Sequence, residues 1–178
     1  MKRILLLIII QLLYIQTTFA MSLAELQSEP NRYTNYKEVQ SSTLYVDLNS
    51  IQALRNAHPY YTLKAKIYFV SYASDSIIEV SETYNYNYNQ SFDSLVNKAL
   101  QLYPTYSDDK ITDWIFKEAE KNSGITIGST SIKCYNLDGK YLNDGKPSYT
   151  KNVEFFTNEF FVASFIYNKY YAMKFWDA

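Results

Sequence analysis

The sequence predicts an α+β fold: an antiparallel β-sheet of about five strands, with a long C-terminal helix packed on one face and a helical insertion. Three observations carry this reading. Residues 61–70 and 77–89 alternate apolar and polar side chains with a period of two, and Ser74, Asp75 and Ser76 between them are turn formers, which is the pattern of a hairpin. Residues 92–103 and 111–119 then change to the three-and-four spacing of one helical face. Residues 152–175 carry Val153, Phe156, Phe160, Ala163, Tyr167 and Tyr170 at that same spacing. Helices grouped between and after strands, rather than alternating with them, belong to the α+β class.

The elements follow in order. Lys2 and Arg3 precede an apolar run over residues 4–15 that only Gln11 interrupts, and small and polar residues lead from there to Ala20. That order is an export signal, with cleavage expected after Ala20 and, in reserve, after Ala24. The run is shorter than the roughly 20 apolar residues of a spanning helix, so no stable membrane span is expected once it is removed. Residues 21–42 read as a polar lead-in with one helical turn near 23–26, and residues 43–178 as a single domain with the helical insertion at 91–122. Within that domain, 43–48 is a short strand, and Asn49-Ser50 opens a helical turn over 51–54. His58-Pro59 breaks the chain before the alternating strand, in which Tyr61, Leu63, Ala65, Ile67 and Phe69 point one way and Thr62, Lys64, Lys66, Tyr68 and Val70 the other.

On the returning strand, Ile78, Val80, Tyr84, Tyr86 and Tyr88 share a face with Glu82, while Ser81, Thr83, Asn85, Asn87 and Asn89 fill the opposite one. Ser91 caps the first helix, which ends before Pro104; Ser107, Asp108 and Asp109 start the second, and Gly124 closes it. Strands resume at 125–127 and 130–136. Asp138-Gly139 is a tight hairpin turn that pairs 131–136 with 140–143, and residues 144–147 leave the sheet.

Composition limits the function. Removing residues 1–20 takes 17 basic residues to 15 against 18 acidic ones, and the formal charge from -1 to -3. No basic field is left to hold phosphates, so nucleic acid is not an expected partner. Tyr occurs 19 times and Phe 10 times, against 4 Gly and 4 Pro. Tyr has an apolar body and a polar tip, so this excess serves either core packing or a Tyr-lined binding face. Tyr84, Tyr86 and Tyr88, on one face of one strand, are the candidate ligand-binding residues. The single cysteine, Cys134, cannot staple the fold and is either buried or open to an intermolecular disulfide.

Catalytic patterns are sparse. The one histidine, His58, sits in a turn, and nothing in the sequence places it beside Cys134. One His and one Cys do not make a zinc site, and Asp47-x-Asn49 and Asn136-x-Asp138 lack the spacing of a calcium loop. Glu79 and Glu82 fall on opposite faces of a regular strand, Asp108 and Asp109 read as a helix start, and there is no glycine-rich phosphate loop. No catalytic residues, metal or cofactor are expected.

Leu44-Tyr45-Val46-Asp47-Leu48-Asn49-Ser50-Ile51, followed by the alternating strand, resembles the opening of surface-adhesin protein E-like domains, where a Tyr-x-Asp-x-x-Ser-Ile element ends one strand before the next crosses the sheet. Ile132-Lys133-Cys134-Tyr135-Asn136-Leu137-Asp138-Gly139-Lys140 is similar to that family's cysteine-bearing strand and Asp-Gly-Lys turn, and the aromatic C-terminal helix sits where the family places its own. The family often bonds the strand cysteine to one in the terminal helix. With no second cysteine here, the resemblance requires Phe156, Phe160 and Tyr167 to hold that helix by burial, each contributing about 2 kcal/mol. It implies a small exported domain, periplasmic or on the cell surface, that binds a partner, in some relatives host matrix proteins. With the sparse catalytic patterns, the expectation is a non-catalytic module for a protein or glycan, host matrix proteins or envelope polymers. An envelope hydrolase using carboxylates is the alternative, and a structural partner, dimeric through Cys134 or an exposed strand edge, is a third reading.

Overall fold

Strands whose apolar residues recur at every second position bury them only by pairing side by side under a cover. The alternating segments do this as β3 (Tyr60–Ser71) and β4 (Ser76–Asn87), an antiparallel hairpin with Tyr61 opposite Tyr86, Leu63 opposite Tyr84 and Ile67 opposite Val80. The computed structural model describes residues 21–39, 41–148 and 150–176; the expected export signal, 1–20, lies outside them. Around the hairpin are α1 (Leu23–Ser28), β1 (Tyr33–Val39), β2 (Ser42–Ala57), α2 (Phe92–Leu102), α3 (Asp108–Lys121), β5 (Ile125–Tyr135), β6 (Tyr141–Gly145), β7 (Lys151–Asn152) and α4 (Asn158–Tyr171). Neighbouring strands run antiparallel in the order β1-β2-β3-β4-β5-β6, with β7 also on β5.

The α+β class and the antiparallel sheet agree with the sequence, but the described residues form seven strands rather than about five. The expected lead-in accounts for part of the difference. Ser22 caps α1 by accepting the Glu25 N–H at 3.2 Å, Leu26 is fully buried, and β1 pairs along β2. Residues 21–39 therefore belong to the domain. The helical turn expected at 51–54 is absent, and β2 runs on through it to Ala57 with a bulge between Asp47 and Gln52. The Asp47 carboxylate accepts the Asn49 N–H at 3.1 Å, the Ser50 hydroxyl donates to the Asp47 carbonyl at 2.6 Å, and the Ser50 oxygen accepts the Lys66 N–H at 2.8 Å. The Asp and Ser that resemble a turn opening thus stitch the bulge to β3. His58-Pro59, joined by a cis peptide bond, turns β2 into β3.

One face of the sheet carries α4, α2 and α3 over a single core. Phe160, Ala163, Ile166 and Tyr167 of α4 are fully buried there, as are Leu95 and Ala99 of α2 and Ala119 of α3. Phe175 and Trp176 return into the same core, and the Phe92 N–H at the start of α2 donates to the Phe175 carbonyl at 2.9 Å. The C-terminal helix is shorter than expected. Residue 152 is in β7, Phe156 takes a left-handed backbone (φ 64°) and is 59% exposed, and Thr157 then caps α4 by accepting the Phe160 N–H at 3.2 Å. Phe156 therefore does not hold the helix by burial, its ring lying 5.4 Å from that of Phe161 at the surface, whereas Phe160 and Tyr167 lie fully buried in the core beneath it.

Among the described residues, the opposite face is covered only at one end. Met21 and Leu26 pack there on Tyr33, Tyr45, Tyr68, Val70, Ile77 and Tyr135 in a second, smaller core. This is why Tyr68 and Val70, on the lysine side of β3, are buried while Lys64 and Lys66 are not.

Candidate functional site

The alternation of Tyr84-Asn85-Tyr86-Asn87 sends rings and amides to opposite faces of β4. Tyr84 and Tyr86 go under α4 and are essentially inaccessible, while Tyr88 leaves the strand in a 3-10 turn and is half-buried. The Tyr86 hydroxyl donates to the Ala163 carbonyl at 2.9 Å, the Tyr86 and Tyr167 rings lie 4.9 Å apart, and the Tyr88 and Tyr167 rings stack at 5.9 Å. Burial pushes the Tyr84 and Tyr86 hydroxyls well above the ordinary tyrosine range, which keeps them neutral. The three rings expected to form a ligand surface pack on one another and on α4, and Tyr84 and Tyr86 are 0% and 2% exposed beneath that helix.

Among the described residues, the reverse side of the same strand is open. Beyond the small core under α1, the outer face holds two cavities of about 290 Å³ each, and neither is lined by a helical residue. At one end, the Thr62 hydroxyl donates to Asn85 Oδ1 at 3.0 Å and Asn85 Nδ2 donates to Thr126 Oγ1 at 3.2 Å, making a polar rung across β3, β4 and β5. Asn87 and Asn122 flank it. Their side-chain oxygens accept the Asn89 N–H at 3.2 Å and the Gly124 N–H at 2.9 Å, and among the described residues neither side-chain nitrogen has a protein acceptor. Tyr60 closes this end with its ring 48% exposed and the Arg55 guanidinium 5.3 Å above it. Outward-pointing amides and hydroxyls beside an exposed aromatic ring offer paired donors and acceptors together with a flat apolar plate.

The other end is charged. Arg32 Nε and Nη2 donate to the two Asp47 oxygens at 3.2 Å each, and Lys66 Nζ lies 3.2 Å from Glu79. Both carboxylates are buried and each is balanced by a cation. Glu79 and Glu82 do lie on opposite faces, Glu79 here and Glu82 under α4. Lys64, between the two ends, has no ion pair among the described residues.

Cys134 is a free, half-buried thiol on β5, between Ile78 of β4 and Asn143 of β6. His58 is in the β2–β3 turn with its ring 5.8 Å from that of Tyr88. Among the described residues no group of three or more His, Cys, Asp or Glu is placed to hold a metal ion, and no helix is long and apolar enough to cross a membrane. The outer-face residues Tyr60, Thr62, Asn85, Asn87 and Asn122 were not candidates from sequence, although the period-two alternation of rings and amides carried the signal.

Fold and site together define an antiparallel sheet protein with helices packed on one face and, among the described residues, half of the other left open and polar. No family model, curated protein or solved structure matches the chain.

Proposed function

We propose that this chain is an exported, non-catalytic binding module of the cell envelope or surface, and that the open face of its sheet binds a polyhydroxylated polymer, an envelope or surface glycan. The observation that carries the reading is the Thr62–Asn85–Thr126 rung beside the exposed Tyr60 ring. Amide side chains match vicinal hydroxyls donor for acceptor, and a tyrosine ring stacks on the apolar face of a sugar. The absence of a basic field disfavours a polyphosphate, since the formal charge without residues 1–20 is -3. The likeness of residues 44–51 and 132–140 to adhesin E-like domains supports the exported binding module, not the choice of glycan.

Export rests on the order of residues 1–20. Cleavage after Ala20 leaves Ser22 to cap α1 and the Leu23 N–H to bond the Leu137 carbonyl at 2.9 Å, whereas cleavage after Ala24 removes both. The non-catalytic reading rests on the trough carboxylates, Asp47 and Glu79, each of which is held by a cation.

Calorimetric titration of the mature chain with soluble envelope glycans tests the reading. The triple variant Tyr60→Ala, Asn85→Ala, Asn87→Ala is expected to lose at least about ten-fold in affinity. Binding that survives in that variant, or a wild-type chain that binds no glycan, would overturn it.

A further inference from the structure

A further recess lies on the helical side of the sheet, past the N-terminus of α4. Tyr36 and Val39 of β1, Leu44 of β2, Phe69 of β3 and Val162 of α4 line an apolar groove of about 260 Å³. It shares Leu44, Phe69 and Val162 with a deeper recess of about 100 Å³, floored by Ile67, Tyr84 and Ile127. Two carboxyl groups line the deeper recess, those of Glu82 and Glu159, and Glu82 accepts a hydrogen bond from the Tyr84 hydroxyl. Glu82 has no ion pair among the described residues. The neighbouring Glu159 is matched by Lys151 at 2.8 Å, and Lys37 at the outer rim donates to Asn158 Oδ1 at 2.6 Å.

We propose that this groove binds an amphiphile with a cationic head, its ammonium paired with Glu82 and its hydrocarbon chain lying along Leu44, Phe69 and Val162. Charge complementarity selects the head. An apolar channel that ends on a carboxylate without a counter-ion rejects a fatty acid, whose head would face Glu82, and gives a neutral alcohol only a hydrogen bond. An ammonium supplies the missing charge and converts the Tyr84–Glu82 hydrogen bond into part of a paired site. Burial raises the Glu82 carboxyl above its ordinary value, with the Tyr84 hydrogen bond and Lys151 lowering it and Glu159 raising it. The groove is on the opposite face from the polar trough, so the two sites are separable.

Titration of the mature chain at neutral pH with octylamine, octanol and octanoate is the test. Octylamine is expected to bind about ten-fold or more tighter than octanol, with octanoate weakest. Glu82→Gln keeps the shape of the side chain and is expected to abolish the preference of octylamine over octanol, while Asn85→Ala leaves it intact. The head-group series on the wild-type chain needs no variant. Equal affinities for the three heads, no binding of octylamine, or an undiminished octylamine preference in Glu82→Gln would each overturn the proposal.

Discussion

Glu82 sits among apolar groups because β4 keeps its alternation through that position and places the carboxyl on the same face as Tyr84. Burial raises its pKa above the ordinary 4.5, and the Tyr84 hydrogen bond lowers it part of the way back. A raised folded-state pKa means that the native protein holds this proton more tightly than the unfolded chain does. The resulting stabilisation is fully present below about pH 4.5 and is lost as the pH rises through the folded-state value. Glu82→Gln carries no titrating group, so urea unfolding should show wild type losing stability relative to the variant as the pH rises from about 4.5 toward neutrality. A difference that does not change with pH contradicts the burial of this carboxyl. Asp47 presents the opposite case, a buried carboxylate that is fully engaged. Asp47→Ala removes both Arg32 bonds and the Asn49 N–H acceptor, and is expected to cost about 2 kcal/mol in the same assay, the partly exposed guanidinium limiting the loss.

At the scale of elements, the periods of two and of three-to-four were legible, and β3, β4, α2 and α3 fall close to where they were expected. The departures have local physical causes. β1 was not legible because Asn35, Lys37 and Glu38 give it the polar character of a sheet-edge strand, and only Tyr33 is buried in it. The bulge at 48–51 was read as a turn because Asp, Asn and Ser bond nearby backbone in either setting, and only the bond from Lys66 N–H distinguishes them. The start of α4 was placed too early because Val153 and Phe156 continue its spacing by chance, whereas the Val153 N–H is already bonded to the Ile125 carbonyl. Between α3 and β5, Gly124 has φ 75°, and a Cβ there would stand 2.4 Å from that of Gln90. Gly124→Ala is therefore expected to cost about 2 kcal/mol or more in thermal or urea unfolding, and an unchanged midpoint would show that this junction is looser than described.

For the molecule as a whole, the sequence specified two chemically distinct faces but not which one would be covered. Nineteen tyrosines drew attention to the rings as a binding surface. Yet an aromatic helix needs an aromatic bed, and α4 takes Tyr61, Tyr84 and Tyr86 for that purpose. What remains for the proposed glycan is the amide side of the same strand, a smaller signal in composition and a larger one in geometry. Export can be read directly: mass spectrometry of protein recovered from outside the cytoplasm should find Met21 at the N-terminus, since α1 depends on Ser22. A chain starting at Glu25 would contradict the role given to that cap. The most direct test of the central claim is a nuclear magnetic resonance titration with an envelope glycan, following the side-chain amides of Asn85, Asn87 and Asn122 alongside the rings of Tyr84 and Tyr86. The amide signals are expected to move in proportion to occupancy while the ring signals stay fixed; rings that shift over unmoved amides would place the ligand on the face assigned here to the core.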